Sequence, residues 1–217
     1  LKNRSLPAQY LYILGFVFGV ALLSFWLLGR GQGLATVFGR NLHLFFTGAA
    51  FMLLEAASIV RGYVLFGSTW NSNAYVFGAL LALILLANWI VIKRPPRTPY
   101  PLAVLLLVSL AVAYLVPLDT LLGTGGLRYP LIALLMLSPV FFANLLFARF
   151  FHDSKASHLG LAANVTGAIL GGLAEYFSTV VGYQSLYLLA ALLYVGAVVS
   201  WVVLKGRPSS GAPSPAA

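Results

Sequence analysis

Apolar positions along the chain fall in long continuous runs separated by short polar connections. They do not alternate residue by residue. A helix needs about 20 apolar residues to cross a bilayer. Seven runs reach or approach that length: residues 10–29, 43–67, 73–92, 100–117, 130–151, 158–181 and 183–204. A barrel strand would alternate polar and apolar over about ten residues, and none of these runs does. The pattern predicts an all-α, polytopic integral membrane helix bundle of about seven transmembrane helices, forming one domain over residues 1–205. Trp26 and Arg30 close the first run, and Trp89, Lys93, Arg94, Pro95 and Pro96 close the third, as membrane–water interfaces do. Pro130 opens the fifth run, where a missing N–H is harmless. Pro139 lies inside the same run and predicts a kink. Residues 206–217, rich in Pro, Ser, Gly and Ala, are expected to form a disordered cytoplasmic tail.

Composition strengthens this reading. The 217 residues are 61% hydrophobic and 8% charged, with a mean hydropathy of +0.95, whereas soluble domains carry about 25% charged residues. The net charge of +9 would suggest nucleic acid in a soluble protein, but here the Lys and Arg residues sit between apolar runs as membrane-flanking anchors. Nucleic acid is therefore not an expected partner; the lipid bilayer is. With seven spans, nine basic residues fall on one face (Arg30, Arg40, Lys93, Arg94, Arg97, Arg149, Lys155, Lys205, Arg207) and three on the other (Lys2, Arg4, Arg128). That asymmetry predicts an outside N-terminus and a cytoplasmic C-terminus in a bacterial inner membrane. The chain begins with Leu1 and lacks the order of a signal peptide, so upstream sequence is expected. Cysteine is absent, which excludes disulfides, thiol chemistry and thiolate metal sites.

Polar residues inside the runs are the candidates for function. An ionised side chain at mid-bilayer costs about 2.5–3.5 kcal/mol or more, so Glu55 and Arg61 in the second run stand out. Gly48, Glu55, Ser58 and Gly62 share a narrow helical face, and small residues let a neighbouring backbone approach. Glu55 is thus expected to be buried against another helix, protonated or hydrogen-bonded. Arg61 lies six residues on, about 120° around the helix, so no intrahelical pair with Glu55 is expected; its side chain is expected to snorkel to the outer interface. In the sixth run, Ala163, Gly167, Gly171 and Glu175 recur every four residues beside a row of Gly160, Asn164, Ala168 and Gly172. These rows predict close helix packing, as do Gly15 and Gly19 in the first run. Glu175 is expected near the outer interface. Asn88, Asn144 and Asn164 are candidates for hydrogen bonds between helices.

Several chemistries are disfavoured. His43, His152 and His158 are placed at helix ends, as interfacial polar residues, with no carboxylate cluster beside them. No lysine lies inside a run to form a retinal Schiff base. The GTGG at 123–126 lacks the strand–turn–helix context of a phosphate loop. No cofactor and no metal are expected.

Three stretches carry a family resemblance: FFTGAAFMLLEAASIVRGYVLFGSTWNSNAYVFGALL (45–81), PVFFANLLFARFF (139–151) and LGLAANVTGAILGGLAEYFSTVVGYQSLYLLAALLY (159–194). Together they resemble the C-terminal transmembrane module of bacterial spermidine-synthase-like or methyltransferase-like membrane fusion proteins. The matching positions are Glu55, Trp70, Asn73, Asn164, Gly171, Gly172, Glu175 and Tyr176. The resemblance implies a membrane module that anchors, feeds or assembles with something else. The catalytic half of such fusions has no counterpart here, because the chain has neither a glycine loop for an adenosyl ligand nor a polar domain. No enzymatic activity is expected of this chain alone. The leading expectation is a non-catalytic anchor or accessory subunit of a larger membrane assembly, with a protein partner or an upstream domain. The alternatives are a proton- or cation-coupled small-molecule transporter using Glu55, and the membrane half of a transferase.

Overall fold

A computed structural model describes residues 34–66, 70–116, 128–153, 157–176, 178 and 182–205, together with eight helical positions between 12 and 27. Among the described residues all regular structure is helical. The elements are α1 (Leu34–Phe66), α2 (Trp70–Lys93), α3 (Tyr100–Leu115), α4 (Arg128–His152), α5 (Ser157–Glu175) and α6 (Ser185–Lys205).

Four described helices hold segments long and apolar enough to cross a membrane: Gly39–Tyr63, Val76–Lys93, Leu134–His152 and Ser185–Lys205. α3 is equally apolar but has 16 residues, which at about 1.5 Å each give roughly 24 Å against a hydrocarbon layer of about 30 Å. α5 has 19 residues, and its glycines, Asn164 and Thr166 hold its hydropathy down. The run at 10–29 and the tail at 206–217 lie largely or wholly outside the described residues.

Two helix ends differ from expectation. α1 starts at Leu34, nine residues before the predicted boundary, because Gly39, Arg40 and Asn41 continue the helix instead of forming a loop. No proline interrupts that stretch, so nothing breaks the backbone ladder. α5 stops at Glu175, six residues before the predicted end, and a turn follows at Tyr176. Elsewhere the punctuation is as written in the sequence. Pro95 and Pro96 follow the last turn of α2, Pro99 precedes α3, and Gly182, with a φ of 95°, sets up α6. Ser185 donates its hydroxyl proton back to the Gly182 carbonyl at 2.6 Å. α4 runs on through Pro139.

α1 is the hub of the bundle: it packs mainly on α5 and α6 and also touches α4 and α2, while α4 packs on α2 and α3. The inward face of α6 repeats at helical spacing, with Tyr187, Ala190, Tyr194, Ala197 and Trp201 all buried. Outward faces are apolar too: Leu85, Trp89 and Ile92 on α2 and Leu192 and Val199 on α6 are exposed. An apolar exterior of that kind suits lipid.

Candidate functional site

The closest approach in the fold is between α1 and α5. A methyl group at Gly167 would collide with the Phe45 carbonyl, one at Gly171 with the Ala49 carbonyl, and one at Gly48 with the Asn164 backbone. Residue order increases together on both helices, so α1 and α5 run parallel. Asn164 Nδ2 donates to the Leu44 carbonyl at 3.1 Å and ties the two backbones across the seam. Of the row predicted on α1, Gly48 thus meets the rows predicted on α5, while Gly167 and Gly171 approach Phe45 and Ala49, which lie outside that row. Gly62 faces Val76 of α2, and Gly172 lies in ordinary contact with Met52. Gly15 and Gly19 face no neighbouring atom within 4 Å.

Glu55 continues the face of α1 that carries Gly48 and Met52, two turns beyond Gly48. The parallel register places it level with the end of α5, where Glu175 lies one turn beyond Gly171. Both carboxylates are only half-buried. Neither makes a hydrogen bond or ion pair among the described residues. The seam thus runs out with an acid on each helix.

Arg61 overturns the snorkelling expectation. It is 1% exposed and points into the bundle. Its Nη2 donates to the Ala113 carbonyl in the last turn of α3, and its guanidinium lies 4.6 Å from the centre of the Tyr187 ring on α6. The physical reason lies in the short α3. Its C-terminal carbonyls lack intrahelical donors and carry the negative end of the helix dipole, and they stop level with Arg61. That terminus and an aromatic face attract the cation inward. Among the described residues, Arg61 Nε and Nη1 remain buried without partners, and the Tyr187 hydroxyl lies near Ser58 without a well-formed hydrogen bond.

The asparagines divide. Of the three predicted to bond between helices, Asn164 does so; Asn144 donates to Val140 within its own helix at 2.9 Å, and Asn88 is exposed. His43 also departs from its expected interfacial place: it is 8% exposed and meets the Phe150 ring edge-on at 5.2 Å. The early start of α1 carries it inside the bundle. His152 and His158 are exposed.

The end of the bundle holding the 93–100 connection gathers the basic residues. Arg149 pairs with Asp153 through Nη1 and donates to the Arg97 carbonyl through Nη2 at 3.5 Å. Lys205 stands 4.4 Å over the Trp201 ring, which is flanked by Tyr100 and Phe150, each 5.9 Å away. Among the described residues no three His, Asp or Glu side chains come together, so no metal-ligand set is assigned.

Tyr187, Tyr194 and Phe150 were not singled out in the sequence. The signal for the tyrosines was there, as a seven-residue interval sharing a face with Ala190 and Ala197. Compared with known proteins, the chain matches no family model, no curated protein and no solved structure.

Proposed function

We propose that the chain is a polytopic membrane module, with seven spans, an outside N-terminus and a cytoplasmic C-terminus, that serves as an anchor or accessory subunit of a larger assembly. The observation that carries this reading is the α1–α5 seam. Its backbones touch through Gly48, Gly167 and Gly171, and Asn164 spans it. Contact that close leaves no path between the helices and gives a rigid platform. Among the described residues, six helical hydroxyls and amides (Thr47, Ser58, Ser109, Asn144, Thr166 and Ser200) are likewise spent on carbonyls of their own helices, as in Ser58 to Leu54 and Thr166 to Ala162, both at 2.8 Å. The partner that fits the family resemblance is a spermidine-synthase-like or methyltransferase-like domain. The alternative, a proton- or cation-coupled transporter, draws on the half-buried, unpaired Glu55.

The two are separated by extraction of the native protein from bacterial membranes in mild detergent. Wild type and Glu55→Gln are expected to co-purify with the same partner in fixed ratio. A monodisperse lone monomer would sink the assembly reading. An intact Glu55→Gln assembly that has lost proton-coupled uptake would favour the transporter.

Orientation is supported by the clustering of Lys93, Arg94, Arg97, Arg149 and Lys205 at one end. Because the chain has no cysteine, single cysteines report sidedness directly. Gln184→Cys is expected to react with an impermeant maleimide on intact spheroplasts, and Arg94→Cys only after permeabilisation. The reverse pattern refutes the orientation.

A further inference from the structure

We infer that Arg61 and Tyr187 form an oxyanion-binding site inside the bundle, taking a carboxylate or phosphate group. Arg61 is 1% exposed. Of the chain's four carboxylates, Glu55 and Glu175 make no ion pair among the described residues, Asp153 is committed to Arg149 and His152, and Asp119 lies outside the described residues. A buried glutamate or lysine can shed its charge by gaining or losing a proton. Arginine cannot, because its guanidinium stays protonated throughout the accessible pH range.

The carbonyl of Ala113 and the ring of Tyr187 soften that charge as a dipole and a quadrupole, but neither cancels it. Among the described residues, Arg61 Nε and Nη1 also remain buried without acceptors, and Tyr187 Oη, near Ser58, has no well-formed hydrogen bond. Buried donors with no acceptor are rare in folded proteins and point to an ion or water. An oxyanion answers both deficits at once. It brings the missing negative charge, and its oxygens accept from the guanidinium N–H groups and the phenol. Nη2 is held by the end of α3, which leaves Nε and Nη1 for the ligand.

Arg61 lies five residues before the end of α1, about 7.5 Å along the helix at 1.5 Å per residue. At that depth both a dissolved anion and the phosphate of a lipid headgroup come into question. The inference is independent of the assembly reading, since it needs only the bundle itself.

The test is thermal unfolding of the full chain, first in zwitterionic detergent with inorganic phosphate or acetate titrated at constant ionic strength. The second arm uses nanodiscs with and without an anionic phospholipid. Wild type is expected to show a saturable rise in unfolding temperature, as ligand binding to the folded state requires. Tyr187→Phe keeps the ring and the cation and removes only the hydroxyl. It is expected to fold normally and bind about 5-fold more weakly, the effect of roughly one lost hydrogen bond. Arg61→Lys keeps the charge without the planar donors and is expected to weaken binding by about 10-fold or more. A rise with free phosphate or acetate assigns a soluble ligand; a rise only with anionic nanodiscs assigns a headgroup. No rise in wild type under any condition overturns the site, and so does an unchanged affinity in both variants.

Discussion

Gly171→Val is expected to destabilise the bundle by about 3 kcal/mol or more, the upper range for forcing extra atoms into a packed interface. A Cβ at this position would stand 2.9 Å from the Ala49 Cα and closer still to its carbonyl oxygen. Those are backbone atoms, so no rotamer change relieves the collision; α1 and α5 must separate. Separation also breaks the Asn164–Leu44 hydrogen bond and the matching contacts at Gly48 and Gly167. Even Gly167→Ala meets the Phe45 carbonyl and is expected to cost about 2 kcal/mol by the same reasoning. Gly78→Ala is the control, because a methyl there meets no atom within 4 Å. Alanine favours helix over glycine by up to about 1 kcal/mol, so that variant is expected to be neutral or slightly stabilised. Unfolding in detergent, followed by far-UV circular dichroism against denaturant, ranks the three. A Gly171→Val protein that unfolds with Gly78→Ala would show that the seam is not a stability determinant.

The seam was legible because small residues at four-residue spacing have one strong physical use in an apolar helix, which is to bring another backbone near. Gly48, Gly167, Gly171 and Asn164 could be read from spacing alone. The helical character of the runs was equally plain from their length and continuity. What spacing could not supply was the identity of neighbours. Arg61 looked as though it would reach for the interface, because a long cationic side chain near a helix end usually does. The decisive facts lay 52 residues away, where α3 stops short and exposes the Ala113 carbonyl, and on α6, where Tyr187 offers its ring.

Helix ends were the other weak point. Gly39, Arg40 and Asn41 read as a connection because the membrane needs only about 20 residues, yet no residue there stops a helix. Nine further residues of α1 then moved His43 from a helix end to the interior. Single-residue misreadings of function can follow from a boundary error of two turns. Hydropathy reports what a helix can cross; it does not report where the helix begins.

Phe150→Ala is expected to cost about 3 kcal/mol, the low end for removing a fully buried aromatic ring. The low end applies because lipid, not water, receives the ring when the helices separate, so the transfer part of the usual cost shrinks and the packing part remains. Phe150 is 0% exposed on α4. It takes the edge of His43 from α1 at 5.2 Å and lies 5.9 Å from Trp201 of α6, which meets Tyr100 of α3 at 5.9 Å. One ring therefore joins four helices through two direct contacts and one relay. Each aromatic pair contributes about 0.5–1.5 kcal/mol beyond its buried area, so losing both direct pairs accounts for about 1–3 kcal/mol, a third or more of the expected effect. Phe150→Leu fills most of the volume without the ring geometry and is expected to recover about half of the loss. The same denaturant series measures both variants. A Phe150→Ala midpoint equal to wild type would mean that the ring contacts add nothing.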